Sequence, residues 1–329
     1  MPSLEARFLG ALTGLATGDA LGTTLEFSRP GSFEPITDMV GGGPFNLKPG
    51  QCTDDTAMAL CLAESLVHSR GFDPVDQMRR YLLWYRDGHY SCKGYCFDIG
   101  GTTASALENF ERTEDPWSGP VAPNTAGNGS LMRLAPVPLT FYRFPKLAVS
   151  RSADSSRTTH GALEAIDACR YFGGLLVGAL QGADKATLLA PSFEPQQGLW
   201  AKSPLAPAIA AVAAGSFREK SPPEIRGTGY VVESLEAALW AFFTSDNFEE
   251  AVLRAVNLGA DADTTGAICG QIAGAYYGIE AIPARWREKL CDRAALEQLA
   301  KGLFTLSAEI SETGETKGKA ERLHVTADE

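Results

Sequence analysis

The sequence predicts an all-α fold, built as a single compact multi-helix domain over residues 1–310 with a polar tail over 311–329. Three observations carry this. Apolar residues recur at three- and four-residue spacing in window after window. Period-two alternation is rare, and where it occurs, as at Val137-Pro138-Leu139, prolines spoil it for a central strand. The chain has 329 residues, ample to bury a core without disulfide staples.

The elements follow in order. Residues 4–17 set Leu4, Phe8, Leu12 and Leu15 on one helical face. Its apolar stretch, Phe8 to Ala16, follows Glu5 and Arg7 and runs into Asp19, so it reads as a helix and not as a secretory leader. Residues 54–67 align Met58, Leu62 and Leu66, and residues 74–87 align Val75, Met78, Leu82 and Tyr85. Further helical windows fall at 102–111, 160–181, 205–215, 230–243, 247–257, 261–277 and 292–304. Gly and Pro mark loops at 28–52, 88–101, 113–129, 184–204 and 216–229, long enough to suggest functional segments. From Ser311 the chain is polar and charged with no apolar period, which defines the tail.

Composition narrows the function. Forty acidic against 29 basic residues give a formal charge of −11. Such a chain lacks the clustered cations that bind nucleic-acid backbones or anionic membranes. The longest apolar run, near 205–214, is too short to span a bilayer. Seven cysteines, an odd number in a long chain, read as reduced thiols, and the Cys92/Cys96 pair has no second pair to complete a zinc site. A cytoplasmic protein is expected, without nucleic-acid or membrane partners, and a monomer. Glycine is in excess, 34 residues against a usual roughly 7%.

Three acidic clusters stand out: Gly18-Asp19-Ala20-Leu21-Gly22 with Glu26, Thr53-Asp54-Asp55-Thr56, and Asp261-Ala262-Asp263-Thr264-Thr265. The second and third each put two carboxylates and a threonine hydroxyl at the start of an apolar helix. One alone reads most simply as a helix cap with acids suited to the dipole. Two matching clusters point further, because a cap needs one side chain. Four carboxylates brought together without cations would repel and be driven toward protonation. Oxygen donors without clustered His or Cys favour Mg²⁺, Mn²⁺ or Ca²⁺.

These residues carry a resemblance. Over roughly residues 5–305 the chain resembles the ADP-ribosylglycohydrolases, the group that contains dinitrogenase-reductase-activating glycohydrolase and the ADP-ribosylarginine hydrolases. The likeness rests on the three acidic clusters together with Phe97-Asp98-Ile99-Gly100 and Thr102-Thr103, Gly127-Asn128-Gly129-Ser130-Leu131-Met132-Arg133, Thr159-His160, and Gly229-Tyr230-Val231-Val232-Glu233, in that family's order.

The resemblance implies two Mg²⁺ ions, or Mn²⁺, held by Thr53, Asp54, Asp55, Asp261, Asp263 and Thr264, with Asp263 as the bridge. Two such ions about 3.5–4 Å apart suit orientation of a ribose diol. Glu26 is implied to lie in a mobile loop beside them. The acid–base candidates for cleavage at the ribose are Glu26, Asp98 and Asp55. The resemblance assigns ADP-ribose binding to Gly100, Thr102, Gly127, Asn128, Gly129, Ser130, Met132, Arg133, His160 and Tyr230. Gly127 to Ser130 reads as a helix start whose N–H groups suit a pyrophosphate, or as a turn with a cap. Arg133 suits a phosphate or a buried acidic partner, and His160, on an apolar helix, suits the ligand or the core. In one respect the sequence departs from the pattern. Some relatives carry an aromatic before the Gly-Asn-Gly stretch to stack on adenine, and here that position is Ala126, leaving Tyr230 or Phe97 for the task.

The activity so implied is Mg²⁺-dependent hydrolysis of the N-glycosidic bond between ADP-ribose and a protein side chain, arginine first, with an ADP-ribosylated protein as substrate and ADP-ribose as product. Serine-linked or small ADP-ribose compounds are the variants of that reading. A metal phosphoesterase and a catalytically silent binding member of the fold are its rivals; the second is disfavoured because all six carboxylate and threonine ligands are present.

Overall fold

The computed structural model describes residues 1–316. Fifteen α-helices form among them: α1 (Leu4–Gly22), α2 (Asp54–Ser69), α3 (Pro74–Asp87), α4 (Gly101–Thr113), α5 (Pro136–Phe141), α6 (Pro145–Thr159), α7 (Leu163–Leu180), α8 (Lys185–Leu188), α9 (Leu199–Lys202), α10 (Pro207–Ala213), α11 (Val231–Phe243), α12 (Phe248–Val256), α13 (Ala262–Tyr277), α14 (Ala284–Arg287) and α15 (Arg293–Glu309). Among the described residues the only β pairings are isolated bridges, such as Gly127 with Tyr230. Among the described residues no helix is long and apolar enough to cross a membrane. The all-α expectation holds.

The centre of the molecule is the pair α1 and α13. Both are apolar nearly all round and nearly every residue of each is buried. Their closeness explains much of the glycine excess. Gly10, Gly14, Gly18 and Gly22 recur every fourth residue on α1, and Gly266, Gly270 and Gly274 do so on α13. A β-carbon at Gly10, Gly14 or Gly18 would collide with the carbonyl of Gly274, Gly270 or Gly266 respectively, and one at Gly22 with that of Ala262. The two helices therefore run antiparallel, backbone against backbone. This contact sets the C-terminal end of α1, with Asp19 and Glu26, beside the N-terminal end of α13, with Asp261 and Asp263.

Five helices escape sequence patterning: the single turns α8 and α9, within the stretch 184–204 expected as a loop, the single turn α14, and the longer α5 and α6. In α5, Pro136 stands in the first turn, where a missing N–H costs nothing, so its prolines do not break it. In α6, Ser and Thr replace the expected apolar stripe, yet Ser152, Ser155, Ser156, Thr158 and Thr159 are buried. The hydroxyls of Ser152, Ser156 and Thr158 donate to backbone carbonyls, as Ser152 Oγ does to Ala148 O at 2.8 Å, and Thr159 Oγ1 pairs with His160 Nδ1 at 2.9 Å. The window expected at 160–181 is divided: α6 ends at Thr159, His160 adopts an extended conformation as its C-cap, and α7 starts at Leu163. The expected tail begins with a turn in which Thr316 bridges back to Ile310, and its residues 317–329 lie outside the described residues. All seven cysteines are free; the Cys92 thiol donates to the Cys52 carbonyl at 3.1 Å.

Candidate active site

A cavity of about 660 Å³ opens where the N-terminal ends of α2, α4 and α13 converge. Glu26, Asp54, Asp98, Asp261, Asp263 and Thr264 line it. The positive ends of three helix dipoles thus face a cluster of carboxylates. Carboxylate oxygens of Glu26, Asp261 and Asp263 all lie within 4.8 Å of one another.

Neither acidic helix start caps itself. Thr53 and Asp261 occupy the N-cap positions of α2 and α13 and neither side chain makes the capping bond. The caps come from the α1 end instead. Asp19, fully buried, accepts from Thr53 N (2.9 Å), Thr56 N (3.1 Å) and the hydroxyls of both threonines (3.0 and 2.6 Å). Glu26 Oε2 accepts from Ala262 N at 2.8 Å. The acids of the two helix starts are thus spared the N-cap role, although Asp263 Oδ1 accepts from Thr264 N at 2.8 Å. Asp19 was not singled out as a site residue from sequence; the signal was its place in the Gly18-to-Gly22 motif.

The two clusters meet in space. Asp55 Oδ2 accepts from Thr53 Oγ1 at 3.2 Å and from Thr264 Oγ1 at 3.4 Å, which ties α2 to α13. Asp55 Oδ1 is buried and has no hydrogen-bond partner among the described residues. A buried, unpartnered carboxylate oxygen within an all-oxygen cluster fits a hard divalent cation. Protonation behaviour agrees. Burial, reinforced by the charge of Asp263, holds the carboxyls of Asp54, Asp55 and Glu26 well above the usual carboxylate range. Asp263 itself is pushed up to about 7, chiefly by burial and then by Asp261 and Asp19, opposed by a hydrogen bond to Glu26. Asp98 is pushed up to about 10 by burial and by the charges of Asp54 and Asp263.

Of the acid–base candidates, Glu26 and Asp98 line the cavity, whereas Asp55 lies beneath it with no exposed surface. Glu26 is itself buried, and its loop is fastened to the start of α13 by Phe27 N to Ala260 O (2.7 Å) and Ala260 N to Ser28 O (2.8 Å).

The remaining expected binding residues divide. Gly100, Thr102, Gly127, Asn128, Gly129, Met132 and His160 line the cavity. Gly100 is the N-cap of α4, whose first turn carries no side-chain cap, so its N–H groups remain available to an anion. The Gly127–Ser130 stretch is not a helix start. It is a turn closed by Leu131 N to Asn128 O at 2.8 Å, and α5 begins only at Pro136. Asn128 Nδ2 donates to Asp261 Oδ2 at 2.8 Å, linking this turn to the carboxylates. A β-carbon at Gly129 would press on the His160 ring, which explains the glycine. Burial and the Arg133 charge lower the His160 imidazole to about 3, so it is neutral.

Three expected residues do not present side chains to the cavity. Ser130 is fully buried, its Oγ 2.9 Å from Ser156 Oγ. Arg133 is fully buried too: it donates to Gly129 O (2.9 Å) and Thr159 Oγ1 (2.6 Å) and stacks 4.6 Å above the Tyr81 ring. It meets neither a phosphate nor an acid; it braces the glycine turn from behind. Tyr230 is outside the cavity lining, and its hydroxyl donates to Glu164 at 2.7 Å. Phe97 packs on Phe45, with ring centroids 5.3 Å apart, beside Asp98.

An all-helical protein with buried carboxylates gathered for a divalent cation beside an anion-ready cleft is thereby defined. The chain belongs to the ADP-ribosylglycohydrolase family, which it matches over residues 1–312. It is 45% identical over 308 residues to the ADP-ribosylarginine hydrolase Tri1 of Pseudomonas putida, covering 93% of this chain and 80% of that protein. It is 31% identical to the ADP-ribosyl-[dinitrogen reductase] glycohydrolase of Rhodospirillum rubrum, covering 88% and 92%. A solved structure titled ADP-ribosylglycohydrolase-related protein complex superposes with a TM-score of 0.81 at 47% identity, over 92% of this chain and 99% of that one.

Proposed function

We propose that this protein hydrolyses the N-glycosidic bond between ADP-ribose and an arginine side chain of a modified protein, and that it requires Mg²⁺ or Mn²⁺. The convergence of Asp54, Asp55, Asp261 and Asp263 with Glu26 and Asp98 at one cavity carries this reading. The similarity to a protein named ADP-ribosylarginine hydrolase supports the choice of arginine.

Asp54, Asp55, Asp261 and Asp263, with Thr53 and Thr264, would hold the cations, and a bound cation supplies orientation of the ribose hydroxyls and stabilisation of negative charge. The uncapped N–H groups at Gly100–Thr102 suit the pyrophosphate, whereas the Gly127 and Asn128 N–H groups are already donated to Thr125 O (2.8 Å) and Gly229 O (3.2 Å). Water adds to the anomeric carbon as its bond to the guanidine nitrogen breaks, the water loses a proton, and the departing nitrogen gains one. Glu26 and Asp98 line the cavity, and we assign these two proton transfers to them as a pair.

The test is release of ADP-ribose from an arginine-modified peptide with Mg²⁺ present and with EDTA. Release only with the cation, abolished in Asp263→Asn with the fold retained, is expected. An active Asp263→Asn enzyme sinks the assignment. Phosphate release without ADP-ribose release would favour a phosphoesterase instead.

A further inference from the structure

Beside the carboxylates lies a wall of aromatic rings that the proposed chemistry does not use. Phe27 borders the cavity and is 69% exposed, although it directly follows the buried Glu26. Its backbone is left-handed, with φ of 58°, a conformation that a bulky residue adopts at a cost. The Ala260 carbonyl holds it there. From Phe27, the one of these rings in the cavity lining, the wall runs outward along the rim, edge-on to Phe45 (centroids 6.3 Å apart) and on to Phe97 (5.3 Å), which precedes Asp98. The rings therefore run between two residues that neighbour cavity acids, Glu26 at one end and Asp98 at the other.

The wall already receives a cation. Lys93 Nζ lies 4.8 Å from the Phe97 centroid and 5.9 Å from that of Phe45. Its hydrogen bond goes to the Phe45 carbonyl at 2.8 Å, and among the described residues it has no ion-pair partner. Ring faces that take an ammonium take a guanidinium better, because the guanidinium is planar, more weakly hydrated and able to stack. Flanking carboxylates add charge and bidentate acceptors for its N–H groups. A neutral adenine gains nothing from those carboxylates.

We propose that Phe27, Phe45 and Phe97 form the subsite for the guanidinium of the modified arginine, with Lys93 as the resident cation that the substrate displaces. This rests on the arginine reading given above. It assigns linkage specificity to the loop after α1 and to the loop before α4, and leaves the metal cluster indifferent to what ADP-ribose is attached to.

The experiment compares an ADP-ribosylated arginine peptide, as substrate, with free ADP-ribose, which has no guanidinium, as a binding ligand. In Phe27→Ala and Phe45→Leu, KM for the peptide is expected to rise about 2- to 30-fold, the range of a cation–π contact, with the Kd for ADP-ribose within twofold of wild type. Phe27→Tyr keeps the ring face and is expected to keep the KM. Lys93→Met removes the competitor and is expected to lower it. Unchanged KM in both ring variants overturns the subsite. An equal loss of ADP-ribose affinity also overturns it, because the rings then serve the nucleotide. If wild-type protein binds ADP-ribose but releases none from the arginine peptide, the functional reading itself fails, and the subsite with it; the two failures are told apart by which protein shows them.

Discussion

The carboxylate of Glu26 caps α13 by accepting from Ala262 N at 2.8 Å while a second face of the same group meets Asp261 and Asp263. One side chain closes the helix start and completes the acidic cluster. The two roles separate in Glu26→Gln, whose amide oxygen still accepts from Ala262 N but whose charge is gone. The metal-free melting temperature is expected to hold, since burial keeps the metal-free Glu26 carboxyl protonated and the amide is a neutral group of the same shape. The loss of kcat is expected to reach about 10²- to 10⁴-fold, the usual weight of a proton-transfer group. Glu26→Ala, which also deletes the cap, is expected to melt lower than Glu26→Gln, the missing cap alone being worth about 1 kcal/mol. Equal melting of the two variants would dismiss the capping role.

Metal-free protein is expected to lose stability as pH rises. A carboxyl whose pKa is raised by folding binds more protons folded than unfolded, so its contribution is full below the unfolded value near 4 and is lost as pH climbs through the folded one. Asp263, pushed to about 7, places much of that loss between about pH 4 and 7, and Asp54 and Asp55, held well above the usual range, extend it upward. A cation bound to the ionised cluster reverses the trend. Thermal melts in EDTA and in Mg²⁺ from pH 5 to 8 should diverge with rising pH. A Mg²⁺ increment that does not grow with pH argues against these carboxylates as ligands.

His160 gives the opposite sign. Its folded pKa of about 3 lies below the ordinary value for imidazole, so the folded state binds fewer protons between about 3 and 6.5. Its contribution is present above about 6.5 and is lost as pH falls toward 3. With Mg²⁺ saturating above pH 6 and EDTA throughout the acid range, His160→Gln should flatten the acid limb of urea midpoints measured from pH 6.5 to 4. An unchanged limb places the acid sensitivity elsewhere.

The helices and the acids of the site were legible because each obeys a local rule. The windows at 54–67 and 74–87 lie within α2 and α3, and the Asp54-Asp55 and Asp261-to-Asp263 pairs announced more charge than a cap requires. What was hidden depends on contacts distant in sequence. Asp19 and Glu26 cap helices that begin 34 and 236 residues later, as seen by Thr53 and Ala262, and no window reveals that. A guanidinium at Arg133 suits a phosphate or a buried acid by residue type alone; the structure gives its Nη groups the Gly129 carbonyl and Thr159 instead. The helix α6 shows no apolar period because hydroxyl residues, among them Ser152 and Thr158 bonded to backbone carbonyls, make up most of its buried face. The glycine excess is not explained by phosphate loops: fourteen glycines take left-handed conformations in turns, and seven form the seam between α1 and α13.

That seam makes the last prediction. Gly18 adjoins Asp19 and faces Gly266, three residues from Asp263, so the closeness of α1 and α13 fixes the separation of the caps from the acids they hold. A β-carbon at Gly18 meets the Gly266 carbonyl, which is backbone and has no rotamer to yield. Gly18→Ala must therefore part the helices, at a cost of about 1–3 kcal/mol or more for overpacking, set against a gain in helix propensity of up to about 1 kcal/mol. The melting temperature should fall. Because the displacement occurs one residue from Asp19, Mg²⁺ affinity measured by calorimetry should weaken as well, whereas Gly10→Ala, at the far end of the same seam, should lower stability and leave Mg²⁺ affinity near wild type. If the two variants weaken Mg²⁺ binding equally, the seam acts on global stability alone and does not set the geometry of the acidic cluster.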